Sequence, residues 1–116
     1  MTRKSKAGQR NAAGDVLKST KLSASQKRAV TFDGQNLLVL AGAGSGKTRV
    51  LTTRYSWLVQ AQGLRPFNIL ALTFTNDAAS EMTGRIAEAL GIKNTHTLWV
   101  GTFHGVCARI LRDHPQ

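Results

Sequence analysis

The sequence predicts an α/β fold, a parallel sheet covered by helices, and three features carry that expectation. Short runs of consecutive apolar residues recur along the chain, helix-length segments alternate with them, and a glycine-rich turn joins the first apolar run to the first long helix. Runs of this kind are strands covered on both faces, and strands alternating with helices build parallel sheets. A chain of 116 residues allows one small domain at most.

From Met1 to about Thr20 the chain is rich in Lys, Arg, Ser, Gly and Ala, with no apolar periodicity. Such a segment cannot bury enough surface to offset its ordering entropy, so residues 1–20 read as a flexible basic arm ahead of a domain over 21–116. Ser23-Ala-Ser25 is a helix-cap signal, and a helix over Ser23–Thr31 follows. Phe32-Asp33-Gly34 is a turn, after which Asn36–Ala41 reads as the first buried strand. Gly46–Gln60 is the next helix, with Val50, Leu51, Trp57 and Leu58 available to one face, and Gly63 and Pro66 break it. Asn68–Phe74 is the second strand. A helix over Asn76–Leu90 carries Ala79, Met82, Ile86 and Leu90 on one face, and Gly91 stops it. Thr97–Val100 is a third, shorter strand, and Phe103–Arg112 a last helix before Pro115. Three strands make a thin sheet, so the expectation is an incomplete part of a larger fold.

The charge balance narrows the partners. Sixteen Lys and Arg face six Asp and Glu, giving a net charge of +10 and a pI near 11.0. That favours an anionic partner, nucleic acid first. The arm contributes part of the excess, but cations still outnumber acids beyond Val30. A single cysteine, Cys107, excludes an intrachain disulfide and reads as a small buried hydrophobe. The basic start is not followed by an apolar segment, and the longest apolar run, Leu37–Ala41, is too short to span a bilayer. A soluble, cytoplasmic protein with no membrane partner is the expectation.

Ala41-Gly-Ala-Gly-Ser-Gly-Lys-Thr48 carries the most chemistry. It departs from the strict Walker A spelling only in Ala41, which replaces the first glycine. Gly42, Gly44 and Gly46 permit backbone angles and approaches that a Cβ would block, so that N–H groups around Ala43 and Ser45 converge on phosphate oxygens. The helix opening at Gly46 adds its N-terminal donors. Lys47 reaches the β- and γ-phosphates, and the Thr48 hydroxyl ligates Mg²⁺. The expected ligand is ATP with Mg²⁺. Kinases, GTPases, transport ATPases and helicases share such a loop, so it leaves the work of the protein open.

Four strings in order resemble the UvrD/Rep/PcrA type of superfamily 1 DNA helicases. Leu22–Val30 is similar to that family's Q motif, Ala41–Arg54 to motif I and the helix behind it, Ile69–Met82 to motif Ia, and Gly101–Arg112 to motif Ib. The resemblance implies a RecA-like, three-layer P-loop NTPase fold, of which this chain is the N-terminal part. It also implies residue roles. Gln26 would read the adenine edge, since an amide both donates and accepts; on its own it reads as an exposed helix residue. Arg49 would pack on the adenine face, or stand as a solvated arginine. Phe74, Thr75 and Asn76, ending the second strand, and Thr102, Phe103 and His104, after the third, would touch single-stranded DNA. Phe74 would stack on a base, and Thr102 and His104 would bond the backbone. Asp77 stands where the family usually has Lys, and either weakens DNA affinity or caps its helix. Gly105 replaces a common Ser.

The implied activity is ATP-dependent DNA unwinding with 3′–5′ translocation, acting on single strands and duplex junctions with the family's remaining domains as partners. Phosphoryl transfer also needs an acid on Mg²⁺ and a group orienting water. Asp33, Asp77, Glu81, Glu88 and Asp113 all lack the apolar-strand context of such an acid. The chain by itself is therefore expected to turn over little or no ATP. Competing readings are the helicase part of a recombination helicase–nuclease, a non-catalytic nucleotide- or DNA-binding module, and a small P-loop kinase or GTPase.

Overall fold

In a computed structural model, residues 21–40 and 46–114 are described. The proposed basic arm, residues Ala41–Ser45 of the phosphate loop, and Pro115 lie outside them. The described residues fall into two compact units, one through Leu64 and the other from Arg65.

The first unit packs helix α1 (Ala24–Thr31) against helix α2 (Lys47–Gln60). Ser23 starts α1 through a reciprocal capping box. Its Oγ accepts from Gln26 N at 3.2 Å, and the Gln26 side chain accepts from Ser23 N at 2.8 Å, which satisfies two donors that a helix start leaves orphaned. Val30, fully buried, meets Trp57 and Ala61 in a small core flanked by Leu22, Val50 and Leu58. Both ends of α1 are tied to α2 by arginines. Arg49 Nη1 donates to the Lys21 carbonyl at 3.1 Å. Arg54 Nη1 lies 2.9 Å from the carbonyls of Ala29 and Val30 and 3.1 Å from that of Phe32.

The second unit is a parallel two-stranded sheet, β1 (Leu70–Thr73) and β2 (Trp99–Thr102), with helices α3 (Asn76–Leu90) and α4 (Phe103–Asp113). Thr75 Oγ1 caps α3 by accepting from Ala78 N at 3.1 Å, and Thr102 Oγ1 caps α4 by accepting from Gly105 N at 3.0 Å. Met82 and Ile86 are the buried stripe of α3, and α3 ends at Gly91 with φ 68, the left-handed stop that glycine adopts without strain. Arg109 fixes α4 to the chain entering β2. It donates to the carbonyls of Leu98 and His96 at 2.9 and 3.0 Å and lies over the Trp99 ring, 3.8 Å from its centroid.

Helix positions agree with the sequence reading to within a residue or two. Four expectations change. The second expected strand, Asn68–Phe74, is shortened to Leu70–Thr73, because Pro66–Asn68 forms a 3₁₀ turn. Asn36–Leu40, the described part of the first expected strand, is not a strand, and Leu38 and Leu40 are 83 % and 87 % exposed. Consecutive apolar residues ask for cover, but a strand exists only where a neighbour supplies its ladder, and among the described residues the ladder joins β1 and β2. The third expected strand begins two residues later than Thr97, because Asn94 caps a 3₁₀ turn over Thr95–Thr97. Cys107 is exposed rather than buried; Val106, beside it in sequence, takes the buried position on α4.

Candidate nucleotide and DNA sites

In the first unit α2 opens at Gly46, whose φ of 81 is left-handed. No side chain caps this helix among the described residues, and the first N–H groups of a helix are donors that an anion can accept from. Lys47, on the first turn, is exposed, and Thr48 is half-buried. A cavity of about 770 Å³ is lined by Ser23, Gln26, Val39, Lys47, Val50 and Arg54 among others. The structure thus brings Gln26 and Lys47 to one concave site. Gln26 stands close to the loop itself: a Cβ on Gly46 would come within 3.2 Å of its Nε2. Arg49 is exposed and bonds the main chain before α1. Among the described residues no acid lines the cavity, and no cluster of His, Cys, Asp or Glu has the makeup of a metal site. The Thr48 hydroxyl is an oxygen donor of the kind Mg²⁺ takes, and a lysine beside an uncapped helix start suits the phosphates of a nucleotide. The group fits the residues present. Ala41, Gly42, Ala43, Gly44 and Ser45 lie outside the described residues.

In the second unit the register of the sheet builds a different surface. Leu70 pairs with Trp99 and Thr73 with Thr102, so the residues following the two strands emerge side by side at one edge. Phe74 and Phe103 meet there, with ring centroids 5.3 Å apart and planes inclined by 34°. Phe74 is 90 % exposed and Phe103 46 %. Thr75, Asn76 and His104 are exposed around the pair, and Thr102 is half-buried. Both threonine hydroxyls serve as helix caps, which fixes them at the same edge. Asp77 falls in the first turn of α3, whose cap is Thr75, and there its charge complements the helix dipole. Gly105 sits tightly, since a Cβ on it would lie 3.1 Å from Thr102 Oγ1.

Sequence reasoning missed Arg54 and Arg109. Each looks like an ordinary helix-surface arginine until the carbonyls it collects are seen.

Residues 22–116 match the family described as the UvrD/REP helicase N-terminal domain, and the chain belongs to that family. It is 52 % identical over 93 residues to DNA helicase II of Escherichia coli, which covers 80 % of this chain and 13 % of that protein. The ATP-dependent DNA helicase UvrD1 of Mycobacterium tuberculosis is 50 % identical over 92 residues, 79 % of this chain and 12 % of its own. The ATP-dependent DNA helicase PcrA of Staphylococcus epidermidis is 47 % identical over 91 residues, 78 % and 12 %. The chain thus spans about an eighth of the length of these relatives. No helix among the described residues is long and apolar enough to cross a membrane.

Proposed function

We propose that this chain is the nucleotide-binding start of an ATP-dependent DNA helicase that translocates 3′–5′ along single strands and opens duplex junctions. In this reading its two units belong to a RecA-like, three-layer P-loop fold over residues 21–116, preceded by a basic arm over 1–20 that works in the cytoplasm alongside the remaining helicase domains. The loop Ala41–Thr48 holds the phosphates, with Lys47 on the terminal ones and Thr48 on Mg²⁺. Bound Mg²⁺ neutralises phosphate charge. Gln26 recognises the base, and Arg49 borders it. Phe74 and Phe103 stack bases, while Thr75, Asn76, Thr102 and His104 hold the strand by its backbone.

The observation that carries the DNA reading is the Phe74–Phe103 pair. Two large aromatics left this exposed offer a stacking surface to something planar; bases are planar, and the phosphate backbone that carries them is the kind of polyanion that a charge of +10 selects. Fluorescence anisotropy with a single-stranded oligonucleotide tests it. Phe74→Ala is expected to weaken binding by about 1–3 kcal/mol, roughly five- to 150-fold, at every sequence alike. Binding should also weaken steeply with added salt. Affinity unaffected by Phe74→Ala would contradict this assignment. On turnover, the 116 residues offer no acid in the context that hydrolysis requires, so the chain alone binds ATP without hydrolysing it.

A further inference from the structure

Arg54 has no part in phosphate binding as proposed above, yet it lines the same cavity as Gln26 and Lys47. Its Nη1 gathers three carbonyls, those of Ala29, Val30 and Phe32, at the end of α1. The last carbonyls of a helix have no partners within it and form the negative end of its dipole. A guanidinium there satisfies them and supplies charge of the right sign, in a geometry that a hydrated lysine matches less well. Gln26 lies on the first turn of the same short helix, with its amide against Gly46. An eight-residue helix has little stability of its own, so its placement depends on what ties it to α2.

We propose that Arg54 is a positioning residue for base recognition: by anchoring the C-terminal end of α1 to α2, it holds the Gln26 amide against Gly46 at the start of α2. The proposal rests on the reading of Gln26 as the base-recognising residue. It separates two parts of nucleotide affinity. In that reading the phosphate contacts come from Ala41–Thr48 and none from α1, whereas selectivity for the base comes through Gln26 on α1.

The test measures binding of ATP, GTP and inorganic tripolyphosphate, each with Mg²⁺, to the 116-residue chain and to three variants, Gln26→Ala, Arg54→Met and Arg54→Lys. Arg54→Met keeps the length and apolar stem but removes every donor. It is expected to lower ATP affinity about tenfold, the scale of one good hydrogen bond, and to bring ATP and GTP together while tripolyphosphate binds as before. Arg54→Lys keeps the charge and is expected to give an intermediate, equally selective loss. It carries the test alone if Arg54→Met does not fold. A parallel fall for all three ligands would make Arg54 merely structural and overturn the proposal, as would unchanged base selectivity in both Arg54 variants. Gln26→Ala distinguishes the underlying reading: if it leaves ATP and GTP discrimination intact, the role of Gln26 falls and the proposal with it. If Gln26→Ala abolishes discrimination and the Arg54 variants do not, only the role of Arg54 falls.

Discussion

At Gly46 the chain takes a φ of 81 and then starts α2. The sequence marks this glycine by its place before Lys47-Thr48, and the geometry supplies two separate reasons for it. A side chain there is strained by the left-handed backbone, and its Cβ would press on Gln26 Nε2. Gly46→Ala is accordingly expected to destabilise the chain by about 1–2 kcal/mol, read as a lower urea midpoint. Arg54 and Arg109 were not legible in the same way. An arginine on a helix is ordinarily solvated, and only the folded chain shows that one collects the end of α1 and the other the carbonyls of His96 and Leu98. Tyr55 makes a pH prediction. Burial raises its phenol above the ordinary 10.0, because the charged form is the one penalised. The native state then holds its proton more tightly than the unfolded chain does. This contribution to stability is complete below 10.0 and declines as pH rises through the folded value. Tyr55→Phe should remove that alkaline decline in urea titrations run below and above 10.0, and an identical decline in the variant would contradict the assignment.

Among the elements, helices were the most legible because each carries its own boundary chemistry. Ser23, Thr75 and Thr102 are caps whose side chains accept from the third residue on, and Gly91 is a stop. Replacing Thr75 with Ala should cost about 1 kcal/mol of stability, in the usual range for a lost N-cap, measured by urea unfolding. Thr102→Ala should cost a similar amount and also weaken oligonucleotide binding, if its hydroxyl both caps α4 and meets the strand. Strands were less legible, because a strand is defined by its neighbour. The apolar pattern of Asn36–Leu40 states that the segment needs cover without stating what pairs with it, and it is not in the sheet. The shift of β2 to Trp99–Thr102 has the same origin: register with Leu70–Thr73 sets its ends. That register also creates the aromatic edge. Phe74 and Phe103 are 29 positions apart by their numbering, and nothing local to either residue brings them within 5.3 Å.

For the whole molecule, family membership follows from residues 22–116, and the four strings that carry the resemblance lie within that span. The cationic excess and the exposed aromatics favour one class of partner, and the Gln26–Gly46–Lys47 arrangement favours another. The proposed function has a P-loop at Ala41–Thr48 that holds nucleotide, while none of the acids in the 116 residues has the apolar-strand context that hydrolysis requires. The direct measurement is titration of the purified chain with a fluorescent ATP analogue and Mg²⁺, with phosphate release followed in the same samples. Saturable binding that Lys47→Ala weakens at least about tenfold, the scale of a lost charge-assisted contact, with no release above background, is the expected result. Binding indifferent to Lys47→Ala, or Lys47-dependent hydrolysis stimulated by single-stranded DNA, would contradict it.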